Sequence, residues 1–209
     1  VSPKGRPEGE HRSAQREGSP VGAAASIRAF LAAHRAEAER FLAELVRVPS
    51  DNPPGDCAPH AARAAALLEA MGFAVERHAV PDAEVRANGM VSCTNLVVRV
   101  RFGTGAGPVI ALNAHGDVVP PGLGWTADPY GAEVRDGVMY GRGVAVSKSD
   151  FATYAFALRA LQSAAAAGAP LDGTVELHFT YDEEAGGAIG PAWLLARGVS
   201  RPDYVISAG

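Results

Sequence analysis

An apolar run that ends on a histidine constrains this chain most. Positions 109–114 read Val-Ile-Ala-Leu-Asn-Ala, and His115, Gly116 and Asp117 follow directly. A run that is apolar on both faces predicts a central strand in a sheet that is covered on both sides. Because strand side chains alternate with a period of two, His115 and Asp117 face the same way. The pair is therefore either a hydrogen-bonded loop pair or a metal ligand with the carboxylate that orients it.

A second cluster of chemically capable side chains follows another predicted strand. Positions 174–181 alternate apolar and polar residues, and Asp182, Glu183 and Glu184 come next. Of two adjacent glutamates, one can bind a divalent metal while the other moves a proton to and from the reacting groups. A solvated acidic turn is the alternative interpretation. Both clusters follow strands, and the catalytic groups of open α/β sheets gather at the carboxyl ends of strands, which favours a shared site.

The segments around and between these clusters carry a resemblance to a known family. They are His115-x-Asp117-Val-Val-Pro120, Trp125 with Pro129, Asp136-Gly137, Tyr140-Gly-Arg-Gly143, Lys148 and Asp182-Glu-Glu184. In this order they resemble the aminoacylase, acetylornithine deacetylase, succinyl-diaminopimelate desuccinylase and carboxypeptidase G family of zinc hydrolases, from about Phe41 to Gly209. The resemblance implies an α/β fold, namely a zinc-peptidase-like three-layer αβα domain with a mixed central sheet. It also implies two zinc or cobalt ions and an inserted lid domain that usually forms the dimer interface.

The resemblance assigns a role to each residue of the two clusters. His115 is similar to a metal ligand of the family, and Asp117 to the carboxylate that orients it. Glu183 is similar to the general base, and Glu184 to a second metal ligand. The implied reaction is hydrolysis of an amide bond next to a carboxylate, in an N-acyl amino acid or a short peptide. Imidazole and carboxylate ligands accept zinc, cobalt or manganese.

The chain departs from the family at the bridging carboxylate, which stands three residues after the Gly-Arg-Gly. Val146 occupies that position here, and a valine cannot bind a metal. Two divalent ions that lie close together repel each other, and a shared anion is much of what holds them. A single-metal site, a site completed by another carboxylate, and a fold without the chemistry all remain open. Asp150 could supply the carboxylate, but helical spacing behind Ser149 as an N-cap places Asp150 in a first helical turn, where the helix dipole favours an acid without any metal.

Three functions follow from these observations. The first is a zinc-dependent amidohydrolase or metallopeptidase that acts on a small-molecule substrate. The second is a non-catalytic or single-metal relative that binds an amino-acid-like ligand or a partner protein, and Val146 favours it. The third is a structural or regulatory fragment produced by truncation. The joint presence of four side chains favours the first function. They are His115, Asp117, Glu183 and Glu184.

Two regions are expected along the chain. Residues 1–25 are rich in Gly, Pro, Ser and charge and predict a disordered leader without an apolar signal-peptide core. Residues 26–209 correspond to the amino-terminal part of the family's catalytic domain. Family members continue beyond the strand at Tyr204–Ser207 into a further acidic ligand, the lid and a late histidine ligand. We therefore expect the amino-terminal half of a longer enzyme, inactive alone, whose homodimer would form through the absent lid.

Composition excludes several other classes. The formal charge of −4 shows no basic face, so nucleic acid is not an expected partner. No run is long and apolar enough for a membrane span. The two cysteines, Cys57 and Cys93, have no metal-site spacing and suit a reducing cytoplasm.

The remaining elements are predicted from periodicity and capping. Ser26 is expected to cap a helix whose apolar stripe runs to Leu45, with His34 as a core residue rather than a ligand. The other expected elements are a break at Pro49–Gly55, a helix ending at Met71 and Gly72, strands at 73–80 and 96–102, a helix opened by Pro191 and closed at Gly198, and a strand at Tyr204–Ser207.

Overall fold

The computed structural model describes residues 20–208 of the chain. Within this range three helices precede the first strand, and four strands follow one another between the fourth and fifth helices. The helices are α1 Pro20–Ala33, α2 Arg35–Val46, α3 Ala58–Ala70, α4 Asp82–Ala87, α5 Lys148–Ala166 and α6 Pro191–Ala196. The strands are β1 Val75–Ala79, β2 Thr94–Phe102, β3 Val109–His115, β4 Glu133–Arg135, β5 Val138–Tyr140, β6 Gly173–Thr180 and β7 Tyr204–Ser207.

Five strands form one mixed sheet in the order β1-β2-β6-β3-β7. Strands β1, β2 and β6 pair antiparallel, whereas β3 runs parallel to both β6 and β7. The apolar run at 109–114 therefore has a neighbour on each side, as expected of a buried strand. Strands β4 and β5 form a separate two-stranded hairpin. The mixed α/β sheet predicted from the family resemblance is confirmed.

Helices cover the sheet on both faces. Leu177 and Phe179 of β6 face α3 and α5 and belong to the main hydrophobic core. The alternate residues of β6 face the segment that carries α6, where Ser200 donates a hydrogen bond to Glu176. On the same face the buried amide of Asn95 donates to the Ile189 carbonyl oxygen at 2.8 Å. The sheet thus lies between two helical layers, with α1 and α2 packed outside against α5.

The first helical region differs from the expected single helix capped by Ser26. Helix α1 begins at Pro20, and Ser26 lies inside it. Proline suits a first helical position and the alanines that follow favour helix, so the helix starts earlier than the apolar stripe. Of the disordered leader expected at residues 1–25, positions 1–19 lie outside the described residues, whereas positions 20–25 are helical and the expectation is wrong there. A turn at His34 then separates α1 from α2, where its Nδ1 lies 2.8 Å from the Phe30 carbonyl oxygen and its ring stacks on Phe30 at 3.8 Å.

Helix α5 begins two residues earlier than a cap at Ser149 predicts. The N-cap is Ser147, whose hydroxyl lies 3.0 Å from Oδ2 of Asp150, and Asp150 lies in the first turn as expected. The Ser149 hydroxyl instead donates to the Ala145 carbonyl oxygen at 2.9 Å. Lys148 is fully buried, and its Nζ donates to the Val48 carbonyl oxygen at 2.9 Å, beyond the end of α2. Burial lowers the pKa of Lys148 to about 8, and its role is to tie α5 to the end of α2.

No helix among residues 20–208 is long and apolar enough to cross a membrane. The loop predicted at Pro49–Gly55 is present between α2 and α3, and it forms an isolated parallel bridge from Asp51 to Val118. The helix at Pro191–Ala196 and the strand at Tyr204–Ser207 also lie where the sequence places them.

A buried carboxylate at Glu176 organises the face of the sheet under α6. It receives hydrogen bonds from Arg99 Nε at 2.8 Å and from the Ser200 hydroxyl, and it lies 2.8 Å from His178 Nε2. Burial of Glu176 favours the neutral acid, but the bonds from His178, Ser200 and Arg99 outweigh it and lower the pKa to about 2. The ionised form is therefore the one that the folded protein stabilises.

This depressed pKa predicts a stability that depends on pH. The contribution of Glu176 is fully present above its ordinary pKa of 4.5 and is lost as the pH falls towards about 2. A shift of this size corresponds to on the order of 3 kcal/mol. We expect the free energy of unfolding of the wild type to exceed that of Glu176→Gln at pH 7, with the difference shrinking between pH 4.5 and 2. Urea unfolding at several pH values measures this, with Glu39→Gln on the exposed surface as control; a difference that stays constant with pH would contradict it.

Candidate metal centre

The two predicted clusters meet at the carboxyl ends of neighbouring parallel strands. His115 ends β3 in register with Thr180 of β6, and the Gly116 amide donates to the Thr180 carbonyl oxygen at 2.9 Å. Beyond Thr180 the chain forms a 3₁₀ turn at Glu183–Ala185. Strand register therefore fixes the distance between the histidine and the glutamates, as the position of both clusters at strand ends predicts.

Three side chains of these clusters lie close enough to share one ion. One ligand atom from each of His115, Glu183 and Glu184 lies within 4.8 Å of the others. Among residues 20–208 this is the one such group of three or more His, Cys, Asp or Glu side chains. His115 is 2% exposed, whereas both glutamates are exposed. The group therefore has a buried nitrogen at its base and two carboxylates that face solvent.

The imidazole of His115 is held on one side and free on the other. Its Nδ1 lies 3.0 Å from the main-chain oxygen of Asp117 and 3.4 Å from Oδ1 of the same residue. Its Nε2 is buried without a hydrogen-bond partner and lies 3.7 Å from Oε2 of Glu183. Burial disfavours the charged imidazolium, but the hydrogen bond and charge of Asp117 outweigh it and raise the pKa of His115. A proton held at Nδ1 leaves Nε2 as the ligand atom, directed at the glutamates.

The carboxylate of Asp117 also accepts hydrogen bonds from groups other than the imidazole. It is fully buried, and its Oδ2 accepts hydrogen bonds from Asn52 Nδ2 at 3.0 Å and from the Glu184 amide at 3.2 Å. Its Oδ1 accepts the Glu183 amide at 3.3 Å and faces the imidazole. Burial raises the pKa of Asp117, but the bonds from His115 and Asn52 lower it by more. Asp117 thus connects the end of β3 with the turn that carries both glutamates.

The glutamate turn has its own internal support from Asp182. This side chain is buried, and its Oδ2 accepts the Ile189 amide hydrogen. Its main-chain oxygen accepts the amides of Ala185 at 3.0 Å and Gly187 at 2.9 Å. Gly186 and Gly187 have φ values of 109° and 74°, which a side chain disfavours, so this glycine pair shapes the backbone. Burial, above all, raises the pKa of Asp182 to about 6.

Gly116, between the histidine and the aspartate, is required by packing. A Cβ at this position would lie 2.4 Å from Cε1 of Tyr181 and 3.0 Å from Cζ of Phe151. Both rings are fully buried and cannot move aside. The absence of a side chain at Gly116 therefore lets the end of β3 pack directly against the aromatic core.

The position of the family's bridging carboxylate offers no replacement ligand. Val146 is 57% exposed and lies just before the N-cap of α5. Asp150 does not belong to the group of ligand atoms around His115, and its carboxylate is bonded by the Ser147 hydroxyl instead. Among residues 20–208 the group around His115 is therefore the candidate set of ligand atoms, without a contribution from position 146 or 150.

Arg142, from the Gly-Arg-Gly segment, supports the loop that follows Asp117. Its Nη2 donates to the carbonyl oxygens of Pro120 and Pro121, each at 3.2 Å. Its guanidinium lies 5.6 Å from the ring centroid of Trp125, a cation–π distance. These contacts assign Arg142 to loop structure.

Sequence reasoning missed two residues that the structure brings to this site. Asn52 belongs to a segment that the sequence predicts only as a helix break, and Asp182 stands in the family motif without a role of its own. The partner of Asn52 is 65 positions away, so no local pattern reveals their contact. The partners of Asp182 lie within seven positions, in the glycine-containing turn that follows it.

The donor set suits a divalent metal ion. A buried imidazole nitrogen without a partner leaves a desolvated acceptor that costs free energy unless something binds it. One imidazole with one or two carboxylates is a ligand set for zinc, cobalt or manganese. The residues present therefore fit the ion that the family resemblance implies, and His115 with Glu184 would hold it, with Glu183 beside them.

The fold is shared with dipeptidases of known structure. The chain superposes on the dipeptidase Dug1p from Saccharomyces cerevisiae with a TM-score of 0.69 and 18% identity, covering 88% of this chain and 40% of that one. It superposes on human carnosine dipeptidase 1 with a TM-score of 0.66 and 19% identity, again covering 88% and 40%. At such identities the likeness establishes the fold.

Sequence comparison identifies the family. The Peptidase family M20/M25/M40 matches residues 111–209, and the chain belongs to the M20 peptidase family. A succinyl-diaminopimelate desuccinylase from Rhizorhabdus wittichii is 38% identical over 146 residues, which cover 68% of this chain and 34% of that protein. The chain thus spans about a third of the length of this curated relative. The family predicted from the motifs at 115–184 is confirmed.

Proposed function

We propose that this protein is a divalent-metal-dependent hydrolase that cleaves the amide bond of an N-acyl amino acid or a dipeptide-like substrate. One observation carries the proposal: the unpartnered Nε2 of buried His115 is directed at Glu183 and Glu184. Membership of the M20 family supports the reaction class. The names of the relatives, a desuccinylase and two dipeptidases, support the substrate classes.

Each residue of the centre has a distinct part in this reaction. His115 and Glu184 hold the ion, and Asp117 fixes the imidazole and the glutamate turn. When bound, a divalent ion polarises the scissile carbonyl and makes water a better nucleophile at neutral pH. Glu183, exposed beside His115, accepts a proton from the attacking water and returns it to the leaving nitrogen.

The centre takes a single ion in this proposal, with zinc as the main candidate and cobalt or manganese as alternatives. Val146 cannot bridge two ions, and Asp150 lies outside the ligand group. A single metal with an activated water is sufficient for hydrolysis in many zinc enzymes. The same proposal includes three further expectations from the sequence: a small-molecule substrate, a homodimer through a lid domain, and a reducing cytoplasm. The two free buried cysteines support the last of these.

A second candidate is a relative that binds an amino-acid-like ligand without hydrolysing it. The exposed valine at position 146 favours it, because it stands where the family places an anionic ligand. The three donors around His115 favour the hydrolase, since a binding role alone does not need them together.

Hydrolysis by the product of the complete reading frame tests the proposal. The protein is stripped with a chelator, reloaded with Zn²⁺, Co²⁺ or Mn²⁺, and assayed on a panel of N-succinyl, N-acetyl and dipeptide substrates. We expect hydrolysis of one class that disappears with the chelator and returns with the ion. Binding of the ion without hydrolysis across the panel would favour the second candidate, and hydrolysis that persists without any ion would overturn the metal mechanism.

A further inference from the structure

We infer that Asn52 is a positioning residue of this centre, acting through Asp117. The inference rests on the proposed function, because its consequence is the geometry of the His115 and glutamate ligands. Asn52 lies 65 positions before Asp117 and is 6% exposed. Its side-chain amide donates to Oδ2 of Asp117 at 3.0 Å.

The backbone around Asn52 is fixed to the end of β3. Its amide donates to the Val118 carbonyl oxygen at 2.8 Å, and the Val118 amide donates to the Ser50 carbonyl oxygen at 3.0 Å. The Ser50 hydroxyl donates to the Gly116 carbonyl oxygen at 2.6 Å. Residues 50–52 therefore run beside residues 116–118 as a short parallel pair. The loop after α2 is in this way part of the frame of the centre.

The turn after Asn52 lies close against its side chain. Gly55 has a φ of 76°, and its amide donates to the Asp51 carbonyl oxygen at 2.8 Å. A Cβ on Gly55 would lie 2.6 Å from Cγ of Met90 and 3.1 Å from Oδ1 of Asn52. The amide of Asn52 is thus held between Met90 and the Asp117 carboxylate.

Asn52 completes the set of donors that Asp117 can accept. A carboxylate has about four lone-pair sites, and four donor groups face Asp117: the Asn52 amide, the imidazole of His115 and the main-chain amides of Glu183 and Glu184. Three of these belong to the ligand group itself. Asn52 is the fourth, and it fixes the rotation of the carboxylate from the loop after α2, which carries none of the ligands. Without it, Asp117 can turn, and both the imidazole and the glutamate turn follow.

Metal affinity measured without reference to hydrolysis tests this role. Co²⁺ and Zn²⁺ are titrated into the chelator-treated product of the complete reading frame, with Co²⁺ followed by its visible absorption. Loss of an outer partner of a ligand typically lowers metal affinity 10–100-fold, and we expect this for Asn52→Leu. The same titration on Asp117→Asn and on the double variant completes a double-mutant cycle. If Asn52 acts through Asp117, Asn52→Leu costs little further affinity in the Asp117→Asn background.

Ser200→Ala is the matched control, because it also removes a neutral donor from a buried carboxylate, that of Glu176. It is expected to lower the stability to urea while leaving metal affinity within twofold. Should Asn52→Leu fail to fold, Asn52→Ala takes its place in the cycle. Wild-type protein that binds neither ion would overturn the proposed function itself. If the wild type binds the ions and Asn52→Leu binds them with the same affinity, only the role of Asn52 is overturned. Equal losses of affinity from Asn52→Leu in the wild-type and Asp117→Asn backgrounds would overturn the same role.

Discussion

Glu183→Gln is expected to lower kcat by about 10²–10⁴-fold on any substrate that the wild type hydrolyses. Glutamine keeps the size and the position of the side chain but cannot accept a proton at neutral pH. The ion would stay bound, because His115 and Glu184 are the ligands in the proposed mechanism. Steady-state kinetics together with metal content after dialysis measure both quantities.

The companion variant Glu184→Gln separates the two glutamates. It is expected to lose the ion, and activity with it, because it removes a proposed ligand. Glu133→Gln, on the exposed β4 hairpin strand, serves as the control and should leave both quantities unchanged. Full activity of Glu183→Gln would refute the general base. Loss of the ion from Glu183→Gln would instead make Glu183 a third ligand, which the 3.7 Å separation from His115 Nε2 also allows.

Phe151→Ala is expected to lower the free energy of unfolding by about 3–5 kcal/mol, the range for a buried aromatic residue truncated to alanine. Phe151 is fully buried on α5, and its ring stacks on Phe179 with centroids 3.8 Å apart. It also meets His60 and Tyr181 edge-on at 5.9 and 6.1 Å. Urea unfolding followed by circular dichroism gives the difference.

This substitution should also weaken the metal centre. The Phe151 ring lies directly below Gly116, so the cavity it leaves loosens the link between His115 and Asp117. Phe151→Leu refills part of the volume and should cost less. Leu123→Ala, at a fully exposed loop position, should change stability by no more than about 0.5 kcal/mol. A loss below about 1 kcal/mol for Phe151→Ala would show that this part of the core collapses around the gap.

The sequence predicts the five strands of the main sheet well, for a local reason, but it does not predict the β4–β5 hairpin. Apolar alternation and apolar runs report directly on burial, and the strands at 109–115, 173–180 and 204–207 lie where these patterns place them. The sequence predicts the first residues of helices less well. Helix α1 begins at Pro20 rather than at Ser26, and α5 is capped by Ser147 rather than by Ser149. Neighbouring residues with similar capping ability compete, and packing at the end of each helix selects among them.

By itself the sequence determined which residues are the candidates for the proposed chemistry and that they stand at strand ends. Side-chain alternation and the family motifs need only neighbouring residues, so His115, Asp117, Glu183 and Glu184 could all be named. Only the tertiary structure decided how these residues are held. Asn52 reaches Asp117 across 65 positions and Asp117 reaches the Glu184 amide across 67, because strand pairing and core packing close these loops together. Such contacts depend on the whole packed chain, and no local pattern specifies them.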